Sequence, residues 1–231
     1  MLDVTNREFR QLIRILSRRA ILWTEMVVDD TILHCDNIES HLGFERHNSR
    51  PIVCQLGGSN PEKIRKAVSK ILEYGYDEIN INMGCPSSLV CEKSQFGAVL
   101  MKNIETAKEA VASLNDATQN SKTRISVKCR IGVDDYDSFE HMEQFIQELK
   151  PYCKIFYLHA RICILKFTTK ENRAIPPLNY PRVYQLCNRF PDCQFYINGG
   201  ITDLKMAKGE LFKSLVDDML SIHYYLCLAF L

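Results

Sequence analysis

Six short, mostly apolar segments recur along this 231-residue chain, at 21–28, 51–56, 78–83, 124–130, 155–159 and 194–198, and helical stretches separate them. This alternation constrains the fold more than any other feature. Strands spaced by single helices form βαβ units, so they lie parallel in one sheet. The clearest helix covers 60–75. Asn60 can cap it, Pro61 suits its first position, Ile64, Ala67, Val68, Ile71 and Leu72 form its apolar stripe, and Gly75 ends it. Further helices are expected at 7–16, from Asn103 onward, and at 138–149, 182–190 and 204–212.

Such a sheet is either doubly wound or rolled into a barrel. A doubly wound sheet gathers its ligand-binding residues at one switch point. Here nearly every strand ends on a polar group: Glu25, Gln55, Asn82 with Cys85, Lys128 with Arg130, His159 with Arg161, and Asn198 before Gly199 and Gly200. Polar tips all the way round are expected at a barrel mouth, where (β/α)8 enzymes do their chemistry. The expected fold is therefore α/β, an incomplete (β/α)8 TIM barrel. No strand precedes the 7–16 helix, and 215–222 is ambiguous as a last strand. A sheet left open exposes its edges, which favours poor solubility or dimerisation, and the oligomeric state stays open.

With 46% hydrophobic and 25% charged residues, the chain reads as a globular domain. A net charge of +1 means that any nucleic-acid surface must be a local patch. Ten cysteines occur, yet several fall inside strands and helices, no Cys-x-x-Cys spacing exists and no signal peptide is visible. They read as reduced core residues of a cytoplasmic protein, with no metal site. The apolar run at 224–231 is too short to span a bilayer, so no membrane role is expected.

Residues 79–101 carry the densest chemistry. Ile79, Ile81 and Met83 alternate with Asn80 and Asn82, the strand breaks at Gly84, and Cys85 follows, held by Pro86. A thiol with a pKa of about 8.5 is mostly protonated at neutral pH and can act as an acid or a nucleophile. Lys128 faces opposite to Val127 and Cys129, towards the barrel axis if they face the helices, so it needs an anionic partner or a polar cavity. A ligand or a strand carboxylate such as Glu25 would serve. His159 is placed to donate to a phosphate or a carbonyl, or to satisfy a structural bond. Gln55 offers donor and acceptor on one amide, suited to a heterocycle edge or to a neighbouring loop. Asn198-Gly199-Gly200 lets backbone N–H groups approach a phosphate, and equally makes a plain turn. Together the set fits a planar, phosphate-bearing cofactor. Flavin mononucleotide suits it better than a nicotinamide, because no Gly-x-Gly-x-x-Gly follows a strand.

Seven ordered motifs are similar to those of the tRNA-dihydrouridine synthases. They are Gln-Leu-Gly-Gly (55–58), Asn-Ile-Asn-Met-Gly-Cys-Pro-Ser (80–87), Phe-Gly-Ala (96–98), Val-Lys-Cys-Arg-Ile-Gly-Val-Asp-Asp (127–135), His-Ala-Arg (159–161), Lys-Glu-Asn-Arg-Ala-Ile-Pro-Pro-Leu (170–178) and Ile-Asn-Gly-Gly-Ile (197–201). The resemblance covers about 1–205 and leaves 206–231 divergent. The Lys-Glu-Asn-Arg segment resembles the A-type branch, which acts on uridines of the tRNA D-loop.

The resemblance implies one FMN-binding catalytic domain over 1–231, without the family's C-terminal helical tRNA-binding domain. It implies NADPH as reductant, hydride transfer from reduced FMN to uracil C6, and a proton from Cys85 to C5. Met1, Leu2, Gln55, Lys128, His159, Asn198, Gly199 and Gly200 occupy flavin positions. Asn82, Lys170 and Arg173 occupy tRNA positions, and Lys166 adds to that basic cluster. The first strand and a Gly-Arg pair near 218–223 are missing from the pattern. Two other functions therefore stay open: an inactive relative that binds RNA or a partner, and an FMN barrel acting on free pyrimidines.

Overall fold

A computed structural model describes residues 4–45, 49–203 and 205–206, and the backbone of 222–224. Met1, Leu2 and most of the expected 204–212 helix lie outside the described residues, as does 215–221. Among the described residues there are seven strands, β1 (Leu22–Val28), β2 (Ile52–Gly57), β3 (Glu78–Met83), β4 (Arg124–Arg130), β5 (Ile155–His159), β6 (Gln194–Asn198) and β7 (Ile222–Tyr224). They form one sheet in sequential order, and every neighbouring pair is parallel. Sequential order has no reversal and hence no switch point, so the doubly wound alternative falls away.

The sheet also curls. Trp23 of β1 and Tyr157 of β5, four strands apart in the order, meet edge to face with ring centroids 4.8 Å apart. Only a rolled sheet brings those inner faces together. Among the described residues no pairing joins β7 to β1, so the barrel described is an incomplete one, as expected.

Helices α1 (Arg7–Leu16), α4 (Pro61–Tyr74), α5 (Ile104–Thr118), α6 (Phe139–Leu149) and α8 (Tyr180–Arg189) accompany the sheet. Their starts follow from local chemistry. Asn60 Oδ1 accepts from the N–H groups of Glu62 and Lys63, both at 3.0 Å, and Gly75 closes the helix at φ +75°. Asn103, Ser138 and Asn179 cap α5, α6 and α8 in the same manner. The last begins two residues before the expected start at 182, because Pro181 suits a first turn. Sequence periodicity missed the short helices α2 (Asp29–His34), α3 (Glu39–Leu42) and α7 (Glu171–Ala174), the π-turn at Leu89–Lys93 and the 3₁₀ segment at Gly97–Lys102. Pieces this short show no full apolar stripe and depend on tertiary contacts.

The core lies between sheet and helices. Ile79, Ile81, Met83, Val127, Cys129, Phe156, Leu158, Phe195 and Ile197 point outward into it and are fully buried. The alternate residues point inward, and many are polar: Gln55, Glu78, Asn80, Asn82, Ser126, Lys128 and His159. No described helix is long and apolar enough to cross a membrane.

Candidate active site at the barrel mouth

Strand register brings the polar tips level. Asn82 pairs with Lys128, Lys128 with Tyr157, Arg130 with His159, and His159 with Asn198. Four of the expected site residues, Asn82, Lys128, His159 and Asn198, therefore share two adjacent inward rungs at the C-terminal rim.

Cys85 sits in the turn that leaves β3. Asn82 Oδ1 accepts from the N–H groups of Gly84 at 3.1 Å and Cys85 at 2.9 Å. The Cys85 carbonyl accepts from Ala98 N–H at 2.9 Å and from the Cys91 thiol at 3.1 Å. Gly97, at φ +73°, permits that approach, since a Cβ there would lie 2.7 Å from the Cys85 oxygen. The thiol is thus carried on a rigid turn. Most other cysteines are buried, and burial pushes the thiols of Cys54, Cys129, Cys153, Cys163 and Cys187 up to about 12. They stay protonated and inert. Cys85 is partly exposed, as is Cys35, which caps the C-terminus of α2.

Gln55 and Asn82 are tied together. Gln55 Oε1 accepts from Asn82 Nδ2 at 3.0 Å, and Gln55 Nε2 donates to Asn80 Oδ1 at 3.0 Å. An amide can make four such bonds. Gln55 keeps one N–H and one lone pair for a ligand, whereas Asn82, with both lone pairs used, keeps one N–H.

Gly199 and Gly200 follow β6 at φ +102° and +73°. A Cβ on Gly199 would lie 2.4 Å from the His159 ring, and one on Gly200 would lie 2.3 Å from Leu178. Only glycine fits this cradle. Tyr180 donates its hydroxyl to the Gly199 carbonyl at 2.7 Å, which fixes the turn further.

His159 is partly buried, and the charges acting on it most are cations: Arg130, Lys128, Arg161 and Arg173. Burial first, then those cations, hold its imidazole well below its usual pKa of 6.5. The neutral ring can donate or accept, and the surrounding field suits an anion. A stability consequence follows. The native state leaves His159 unprotonated where the unfolded chain binds a proton, so stability falls as pH drops below 6.5. The expected slope approaches about 1.4 kcal/mol per pH unit in that range. Urea unfolding one unit either side of that pH measures it, and His159→Gln should flatten the slope; an unchanged slope would assign the effect to other groups.

Arg130, in the sequence only a polar strand tip, anchors the rim. The side chain is 3% exposed. Its Nε donates to the Gly84 carbonyl at 3.3 Å, and its Nη1 donates to the carbonyls of Ile162 at 3.2 Å and Asn172 at 2.9 Å. One guanidinium therefore ties the Cys85 turn to the segment carrying Lys170 and Arg173. Asn172 is fully buried and closes that segment on itself through Ile164, Phe167 and Thr168. A reciprocal capping box between Thr168 and Glu171 starts α7. Lys166, Lys170 and Arg173 are all exposed there. Of the three, Arg173 acts on both His159 and Arg130 through its charge.

A parallel (β/α) barrel that gathers a thiol turn, a Gly-Gly turn and an imidazole among cations at its C-terminal rim has the arrangement of the (β/α)-barrel enzymes. The chain is a member of the dihydrouridine synthase (Dus) family, whose model matches residues 1–221. It is 42% identical over 214 residues to a tRNA-dihydrouridine(20/20a) synthase of Escherichia coli (strain K12), a match covering 91% of this chain and 60% of that protein. The same-named protein of Shewanella oneidensis is 41% identical over 213 residues, covering 91% and 62%. The chain thus spans about 60% of the length of these curated relatives.

Two solved structures share the fold. Histamine dehydrogenase from Rhizobium sp. 4-9 superposes with TM-score 0.58 at 9% identity, over 96% of this chain and 41% of that one. A 2,3-dimethylmalate lyase gives 0.57 at 10% identity, over 94% and 72%.

Proposed function

We propose that this chain carries the chemistry of a flavin-dependent reductase that converts uridine to 5,6-dihydrouridine in the D-loop of tRNA. The relatives' names point to positions 20 and 20a. The observation that carries the reading is the convergence at one rim of the Cys85 turn, the Gln55–Asn82 amide pair, the His159–cation cluster and the Gly199–Gly200 cradle.

The residues present fit FMN. Glycine at 199 and 200 lets the turn pack directly against His159 and Leu178, and the strongest charges on His159 are positive, as a phosphate requires. Gln55, Lys128, His159, Asn198, Gly199 and Gly200 would hold the cofactor, together with Met1 and Leu2, which lie outside the described residues. Bound there and reduced by NADPH, FMN would supply the hydride for uracil C6. Cys85 gives its proton to C5, and its thiol is then restored from solvent. Lys128, on the same rung as Asn82, neutralises negative charge beside the ring system. Asn82 offers its remaining N–H to a uracil carbonyl. Lys170 and Arg173 bind tRNA phosphates, and their exposure suits that role. The target base must leave its stack to reach such a rim. We read the chain as one cytoplasmic catalytic domain.

The test is direct. Purified protein mixed with FMN should turn yellow, and with NADPH and unmodified D-loop tRNA it should form dihydrouridine. Protein that stays colourless at saturating FMN would favour an inactive RNA-binding relative. Reduction of free uracil but not of tRNA would favour a pyrimidine reductase.

A further inference from the structure

Below the rim, hydrogen bonds run in one direction from the Cys85 turn to the floor of the barrel. The N–H groups of Gly84 and Cys85 donate to Asn82 Oδ1 at 3.1 and 2.9 Å. Asn82 Nδ2 donates to Gln55 Oε1, and Gln55 Nε2 donates to Asn80 Oδ1, each at 3.0 Å. Asn80 Nδ2 donates to Ser126 Oγ at 2.8 Å, and Ser126 donates its hydroxyl to Glu78 Oε1 at 2.6 Å. The other Glu78 oxygen meets Arg124 at 3.1 Å. Asn80 and Ser126 are completely buried and Glu78 is 1% exposed.

Both ends of this run are chemically obligate. A backbone N–H can only donate, and Glu78, whose carboxyl pKa burial pushes up while Ser126 and Arg124 oppose that shift, only accepts when ionised. Between such ends each amide has one satisfactory orientation. A flipped Gln55 would set its NH₂ against that of Asn82 and its oxygen against that of Asn80. Without the carboxylate, Ser126 could turn its hydroxyl the other way, and the amides above would be held in their orientation from the Gly84 and Cys85 N–H groups alone. Aligned bonds in a low-dielectric interior also polarise one another, so the anchor is felt at the far end.

We infer that Glu78, acting through Ser126 and Asn80, is a positioning residue that holds from below the orientation in which Gln55 and Asn82, gripped from above by the Gly84 and Cys85 N–H groups, present donor and acceptor to the ligand. The matching ligand edge carries a donor and an acceptor side by side, as a flavin or pyrimidine imide does. This inference rests on the flavin-dependent reading above and deepens it.

Ser126→Ala cuts the run without touching the rim, and Glu78→Gln replaces the obligate acceptor by a group of equal size. For both, FMN titration and the visible flavin spectrum are compared with the parent, with circular dichroism reporting the fold. The expected result is an FMN Kd raised about tenfold, the effect of losing roughly one oriented hydrogen bond, with a changed shape of the visible band. A folded variant whose Kd stays within about twofold of the parent and whose band is unchanged would overturn the inference. If Ser126→Ala does not fold, Glu78→Gln decides. Parent protein that binds no FMN would instead defeat the underlying reading.

Discussion

Cys85→Ala is expected to lower dihydrouridine formation by about 10²–10⁴-fold, the usual contribution of a general acid, while the flavin stays bound. The turn explains why the two effects separate. Its shape is held by backbone groups: the Asn82 oxygen grips the N–H of Cys85, and Ala98 N–H holds its carbonyl. None of these bonds uses the thiol, so alanine keeps the turn. Gln55 and the Gly199–Gly200 cradle are not linked to the sulfur either. Flavin content per chain and turnover on tRNA, measured side by side, check this. Loss of flavin in parallel with activity would make Cys85 a structural residue and remove the proton-donor assignment.

Arg130→Met should have the largest effect on stability, on the order of 2–4 kcal/mol. Three carbonyls, on Gly84, Ile162 and Asn172, lose their donor in a place that is only 3% exposed. For a chain of this size that corresponds to a fall of about 5–15 °C in Tm. The surviving folded protein should bind tRNA more weakly, because the Lys170–Arg173 segment is no longer tied to the Cys85 turn. Arg130→Lys keeps the charge but has a single ammonium in place of a planar fork, so it should restore only part of the loss. Thermal unfolding and the tRNA KM of both variants test this. A melting temperature unchanged in Arg130→Met would show that other donors replace the guanidinium.

Much of this molecule was legible in the order of its residues. The spacing of apolar segments established the parallel α/β fold, because strand and helix periodicity are local properties. Helix starts at Asn60, Asn103 and Ser138 were legible too, since a capping side chain bonds N–H groups only two or three residues away. Polar strand tips marked the rim, and Cys85 stood out through the Gly84 and Pro86 beside it. The short helices at Asp29–His34 and Glu171–Ala174 did not, because their stability comes from distant contacts.

The chain itself thus determined the sheet, its direction and the set of groups gathered at its C-terminal ends. Only the tertiary structure decided which of those groups meet. Asn80 finds Ser126 across 46 positions, Gln55 finds Asn80 across 25, and Arg130 reaches Asn172 across 42. The physical reason is register. A slip of one residue between neighbouring strands would turn every inward amide outward, and register is set by the packing of whole faces and the curl of the sheet.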